Sequence, residues 1–182
     1  MAHSLGIKVL IMQAFADLGQ FACGSGDNLD ERTVAVRIVH RTQSPVQDPF
    51  WKNPTQILAW SREPETGNHF YLHTDQSDRH DAIGDGVLNQ DGHCTYSPDG
   101  EWILTDTYPG RDRKQRLMLY RPGDGCLVEL GAFFLDAKHA GEFRCDLHAR
   151  WSRSGHYVCV DSMHEDDLRQ MYLVDVGGVL GK

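Results

Sequence analysis

The sequence has no apolar run long enough to cross a bilayer. Its most apolar stretch, around Val9 to Met12, is interrupted by Lys8, Gln13 and Asp17 and falls far short of the ~20 residues that a spanning helix needs. The same stretch makes a poor secretion signal, being short and followed by no convincing small-x-small site. Basic charge is also in deficit. Eighteen Lys and Arg face 26 Asp and Glu, a net charge of −8 with the ten histidines neutral. A chain so charged has no general attraction for phosphate backbones or anionic lipid, which argues against nucleic acid and membrane as partners. The five cysteines, Cys23, Cys94, Cys126, Cys145 and Cys159, are odd in number and contain no C-x-x-C pair. That excludes a disulfide framework and a cysteine zinc site, and predicts reduced thiols in a cytoplasmic protein. G-x-S-x-G, the P-loop and H-E-x-x-H are missing, and with them the common hydrolase, nucleotidase and zinc-protease signatures.

What is present is a repeat. Asp91-Gly92-His93-Cys94-Thr95-Tyr96-Ser97-Pro98-Asp99-Gly100-Glu101-Trp102 recurs without a gap, 55 residues later, as Asp146-Leu147-His148-Ala149-Arg150-Trp151-Ser152-Arg153-Ser154-Gly155-His156-Tyr157, and the register continues to Asp106 and Asp161. Arg116 to Arg121 then matches Gln170 to Asp175 at an offset of 54. A fainter copy lies upstream, where Asp48-Pro49-Phe50-Trp51 precedes His93 to Tyr96 by 45 residues. Periods of this size mark repeat architectures.

Each unit has one internal grammar. A short segment ends in an aromatic, and Ser97-Pro98-Asp99-Gly100 suits a type I turn. Trp102 to Thr107 is apolar on both faces, as in a strand sandwiched between layers. A polar loop leads to Leu117–Tyr120, and Pro122 to Gly125 turns the chain into Cys126–Leu130. Four short strands per unit, at about 45 to 55 residues, describe a β-propeller blade. The predicted fold is all-β, an incomplete propeller of about three blades with four antiparallel strands each. Repeat units fall near 45–90, 91–131 and 146–176 within a propeller region of 34–182, and residues 1–33 form an N-terminal segment of undecided structure. Val34–Val39 reads as an outer strand of a preceding blade and Gly24–Asn28 as a turn; Leu5–Leu18 fits either a short helix or a misfit strand. The last blade is expected to lack its fourth strand, and no helix is required after residue 34. Open blade edges invite self-association.

In a propeller the first strand of every blade lines the channel, so Asp48, His93 and His148 are expected around one axis, with Asp91 and Asp146 on the same strand faces. Asp106, Tyr108, Asp161, His164 and Glu165 sit on loops that open on the same rim, beside Arg144 and Arg150. Two roles fit His93 and His148: ligands of a divalent metal with carboxylate help, or polar anchors that fix the inner strands. Arg144 and Arg150 suit either a substrate carboxylate or a nearby Asp, and His164 suits either a substrate or a solvated loop. Trp51, Trp102 and Trp151 are expected to pack between blades.

These blades, with His93 and His148 opening them and Ser-Pro-Asp-Gly at the first turn, resemble the C-terminal blades of the oligogalacturonate lyase-type, TolB-like propeller family, over roughly residues 45–176. The resemblance implies a seven-bladed cytoplasmic ring, a divalent metal that is manganese in the family, and β-elimination on short acidic, uronate-containing oligosaccharides. It matches His148 to the second histidine of the family's Gln-x-x-His-Pro-His metal motif. Asp146 stands at the first histidine, Leu147 at the proline and Phe143 at the glutamine, and Asp48 stands at a further metal histidine. It aligns His93 with a channel histidine of the neighbouring blade; with the reading of the residues above, the expected metal set is His93, Asp146, His148 and Asp48, with Arg144, Arg150 and His164 toward substrate. The family's proton-abstracting groups would lie upstream of these blades or within the first thirty residues, so little turnover is expected of this chain. The other class open to it is a non-catalytic propeller module that binds a protein or a sugar.

Overall fold

The computed structural model describes residues 9–12 and 47–181; Cys23, the Gly24–Asn28 turn, the Val34–Val39 strand and most of Leu5–Leu18 lie outside them. Among the described residues, twelve strands form three antiparallel sheets of four. The first blade runs β2 (Gln47–Asn53), β3 (Gln56–Glu63), β4 (Gly67–Thr74) and β5 (His80–Ile83), and the second β6 (Cys94–Tyr96), β7 (Ile103–Asp106), β8 (Lys114–Arg121) and β9 (Cys126–Phe134). The third blade holds β10 (Arg150–Trp151), β11 (Tyr157–Ser162) and β12 (Gln170–Asp175). Its fourth strand corrects the sequence expectation. β1 (Val9–Met12) pairs antiparallel with β12, Val9 opposite Val174 and Met12 opposite Met171, so the N-terminal part of the chain completes the last blade. One short helical turn, α1 (Gly177–Leu180), and a 3-10 turn at Gly141–Phe143 complete the described elements.

The repeated turns fold alike because the same side chains cap them. Gly100 donates its N–H to the carbonyl of Ser97, and Trp102 donates to the Ser97 hydroxyl. In the third blade Gly155 donates to the Ser152 carbonyl and Tyr157 to the Ser152 hydroxyl. Both glycines lie at positive φ, 73° and 70°, where a side chain would be strained.

Alternation along β7 sends neighbours into different layers. Ile103 joins Leu58, Phe70, Leu72, Leu88, Cys94, Tyr96 and Tyr120 between the first and second blades. Trp102 and Leu104 join Leu117, Leu119, Leu147, Val158, Val160, Tyr172 and Val174 between the second and third. Each such side chain stabilises the stack by about 1.5–3 kcal/mol on leaving water. Trp102 and Trp151 pack in the latter layer as expected, whereas Trp51 is half-buried opposite Ile57, on the face of the first blade turned from the second. Tyr157, the repeat equivalent of Trp102, is 40% exposed on the outer face of the third blade.

Candidate functional site

The blade stack carries the first-strand residues to one rim. The rings of His93 and His148, 55 residues apart in sequence, lie with centroids 4.1 Å apart at 41°. Asp48 reaches the same point, its Oδ2 3.7 Å from His93 Nε2. Asp48 and His148 share an unusual backbone, each with φ of 43°. For a non-glycine residue this is a costly conformation. At Asp48 it coincides with a break in register against β3, so that the strand bulges and turns its side chain to the rim.

His93 is the best-supported group. Asp106, whose side chain is 2% exposed at the end of β7, accepts from the His93 backbone N–H at 2.8 Å and contacts its Nδ1 at 3.0 Å. Burial alone would lower the pKa of His93, but the hydrogen bond and charge of Asp106, followed by the charges of Asp48 and Asp146, outweigh it and raise the pKa above the ordinary histidine value. Asp91 sits behind this pair with Oδ1 buried and without a hydrogen-bond partner. Burial first, and then the nearby Asp48 and Asp106 charges, raise its pKa against the pull of a backbone hydrogen bond from Gly92 and the His93 charge.

Next to His93, whose ring centre lies 5.9 Å from that of Tyr108, is an arginine clamp. Arg144 holds both oxygens of Asp146, at 2.6 and 2.8 Å, and its guanidinium lies 4.4 Å from the centre of the Tyr108 ring. Burial, with the charges of Asp48, Asp91 and Asp146, pushes the Tyr108 phenol up to about 12, so it stays a hydrogen-bond donor at neutral pH.

Other sequence candidates lie elsewhere. Arg150 bonds Asp161 at 3.0 Å on the face of the third blade turned from the second, which realises the arginine–aspartate alternative. His164 packs on Phe133 and Tyr172 at the edge of the inter-blade core, held by the Ser162 hydroxyl at 2.9 Å; Tyr172 donates to Glu165 at 3.3 Å. The thiols of Cys94, Cys126, Cys145 and Cys159 are free, and burial pushes the Cys94 thiol far above its ordinary value.

Two of the four residues expected to hold a metal at the rim are already engaged. Asp146 is committed to Arg144, and the Nδ1 of His93 to Asp106, so His93, Asp146, His148 and Asp48 do not present three converging ligand atoms. Among the described residues the group that does is Glu63, His73 and His80 in the first blade, with ligand atoms within 4.8 Å of one another. Sequence reading missed it because β3, β4 and β5 bring it together only through their register. Burial, then the charge of His80, lowers His73 to about 4. A histidine lowered on folding favours the native state above its unfolded value and weakens it as the pH falls toward the folded one. Chelator-treated protein is therefore expected to lose about 3 kcal/mol between the ordinary histidine value and its acid limit. Urea titrations across that range, beside His73→Leu, check this: a parent curve as flat as the variant's would contradict it.

No helix among the described residues is long and apolar enough to cross a membrane. No sequence-family model matches the chain, and no curated protein sequence matches it. Among solved structures it is similar to TolB from Acinetobacter baumannii, at 18% identity and a TM-score of 0.55 over 73% of this chain and 30% of that one. It is similar also to an oligogalacturonate lyase from Vibrio parahaemolyticus, at 13% identity and a TM-score of 0.54 over 72% of this chain and 36% of that one. The chain thus spans about a third of the length of either neighbour. At these identities the likeness is one of fold, and the fold is that of TolB-like propeller blades.

Proposed function

We propose that this chain is a propeller module that binds a small acidic oligosaccharide at the rim around His93 and His148, with lyase-like elimination as the chemistry this rim is built toward. The observation that carries the reading is the meeting of His93 and His148 at 4.1 Å, flanked by Arg144 and Tyr108. The similarity to an oligogalacturonate lyase supports the substrate class.

The rim's charges bear on the ligand. Asp106 pairs with His93 and Asp146 with Arg144, while Asp48 stands beside His93 Nε2; an incoming carboxylate is therefore directed away from Asp48, toward Tyr108, His148 and the outer edge of the guanidinium, which donates up to five hydrogen bonds in all. In an elimination, a base removes the proton from the carbon bearing the uronate carboxylate. That electron pair becomes the new carbon–carbon double bond, and the glycosidic oxygen leaves with a proton from an acid. Charge builds on the carboxylate as the proton departs, and Arg144 beside it stabilises that charge. His148, exposed on the rim, is the base available there. Of the donors expected for manganese, Asp146 is held by Arg144 and the Nδ1 of His93 by Asp106.

Titration calorimetry with trigalacturonate tests the binding. Saturable binding is expected, and Arg144→Ala or His148→Ala should each weaken it by about 10- to 100-fold, the worth of a hydrogen bond to a charged group. Ultraviolet absorbance of the conjugated product reads elimination in the same sample, and turnover should be small from these three blades. The absence of saturable binding at millimolar sugar would overturn the reading.

A further inference from the structure

The first blade carries a second polar cluster that the rim chemistry does not use. Ile57, Ala59, Ser61 and Glu63 of β3 share one face with His69, Tyr71 and His73 of β4 and His80 of β5, as the pairings Ile57 with His73, Ala59 with Tyr71, Ser61 with His69 and His73 with His80 require. Side chains on this face lean toward the β3–β4 turn: the Tyr71 hydroxyl bonds the carbonyl of Gly67, four residues back. This lean brings His73 and His80 toward Glu63. The Nε2 of His80 lies 3.9 Å from Glu63 Oε2, and the His73 and His80 rings are 5.9 Å apart.

We propose that Glu63, His73 and His80 bind one divalent transition-metal ion, which clasps β5 to the far end of β3 across β4. Three features support a built site. The three ligand atoms already lie within 4.8 Å of one another. The groups behind them are placed as second partners of metal ligands usually are: His80 Nδ1 meets the carbonyl of Asp78 at 3.1 Å, leaving Nε2 for the ion, and the Ser61 hydroxyl meets the His73 ring at 3.3 Å. Finally, the site is closed on one side and open on the other. His73 and Glu63 are buried while His80 is exposed on a strand of four residues at the edge of the sheet. His80 is thus free to close the last gap, and a water can complete the shell.

Two imidazoles and one carboxylate select the class of ion. Calcium and magnesium prefer oxygen ligands throughout, whereas imidazole with carboxylate suits zinc, iron, nickel or copper. The role is that of a clasp on an edge strand, separate from the rim and independent of whether the rim binds sugar.

Zinc binding by the tag-free, chelator-stripped chain tests the proposal. After addition of zinc and gel filtration, elemental analysis should find about one zinc per chain, as this single site predicts. Competition against a chromophoric chelator should show His80→Ala weakening the affinity at least about tenfold, the smallest effect seen for a group supporting a metal. His80 is an exposed edge residue, so this variant keeps the fold. Zinc should also raise the thermal midpoint of the parent and leave that of His80→Ala unmoved. Substoichiometric zinc, or zinc held equally well by His80→Ala, would overturn the proposal, and loss of zinc in His148→Ala instead would place the ion at the rim.

Discussion

Gly92→Ala is expected to be a severely damaging single-methyl change. A Cβ there would lie 1.9 Å from the backbone oxygen of Asp106, 2.7 Å from its carbonyl carbon and 2.9 Å from its Oδ1. Two of those atoms are backbone of β7, a strand whose four residues are all buried between layers, so nothing can step aside. The glycine is needed for close approach and not for its conformation, since its φ is not among the positive values. The cost should reach about 3 kcal/mol or more, the upper end for overpacking. Because the strand must shift at Asp106, the hold on His93 should go with it. Gly123→Ala is the matched control: a Cβ there meets nothing within 4 Å, and a change within about 0.5 kcal/mol is expected. Urea denaturation of both variants decides the matter, and a Gly92→Ala loss no larger than the control's would contradict the packing described for the rim.

Asp106→Asn should cost nearly as much and leave a pH signature. The carboxylate accepts from both the backbone N–H and the ring of His93 in a part-buried setting. Asparagine keeps the shape but offers one acceptor where two are used and removes the charge. Taking one partner from a buried pair costs about 3–5 kcal/mol, and His93 is shielded enough for the lower figure to apply. The sign with pH follows from the raised pKa of His93. A histidine raised on folding contributes its stability fully below its unfolded value and loses it as the pH rises through the folded one. The gap between parent and Asp106→Asn should therefore be widest in acid and narrow in alkali, and the imidazole shift of His93 should titrate lower in the variant. A gap that is constant with pH would show that Asp106 acts as packing and not as a charge partner.

Much of this was legible from the sequence, for a reason that particular residues show. The repeat keeps Ser97 and Gly100 in register with Ser152 and Gly155, and the same hydrogen bonds close both turns. Local turn chemistry and strand alternation therefore made the four-stranded antiparallel sheets legible, and stacking of the sheets brings His93 and His148 together. What the repeat could not convey were its departures. Asp106 and Asp161 are equivalent in sequence, yet Asp106 N–H bonds the carbonyl of His93 whereas Asp161 N–H bonds that of Leu147, one position earlier in the repeat. The positive φ of His148 accompanies that slip. It explains why Leu147 is accommodated where Gly92 is demanded, and why Asp161 turns to Arg150 while Asp106 turns to His93.

Long-range pairing was equally hidden. β1 meets β12 through backbone pairing between segments at opposite ends of the chain, and no side-chain pattern announces such a partner. Glu63, His73 and His80 come together only once register and lean are known. The engagement of Asp146 was hidden too. Spacing alone does not show that Arg144, two residues before Asp146, holds both oxygens of its carboxylate.

The meeting of His93 and His148 at one rim is the claim on which the functional reading rests. It is tested most directly by nuclear Overhauser spectroscopy on protein labelled at histidine, with His148→Ala to assign the signals. Rings 4.1 Å apart predict a strong cross-peak between the imidazole protons of the two residues, absent from the variant. Two assigned imidazoles with no cross-peak between them would contradict the blade stacking and the rim site together.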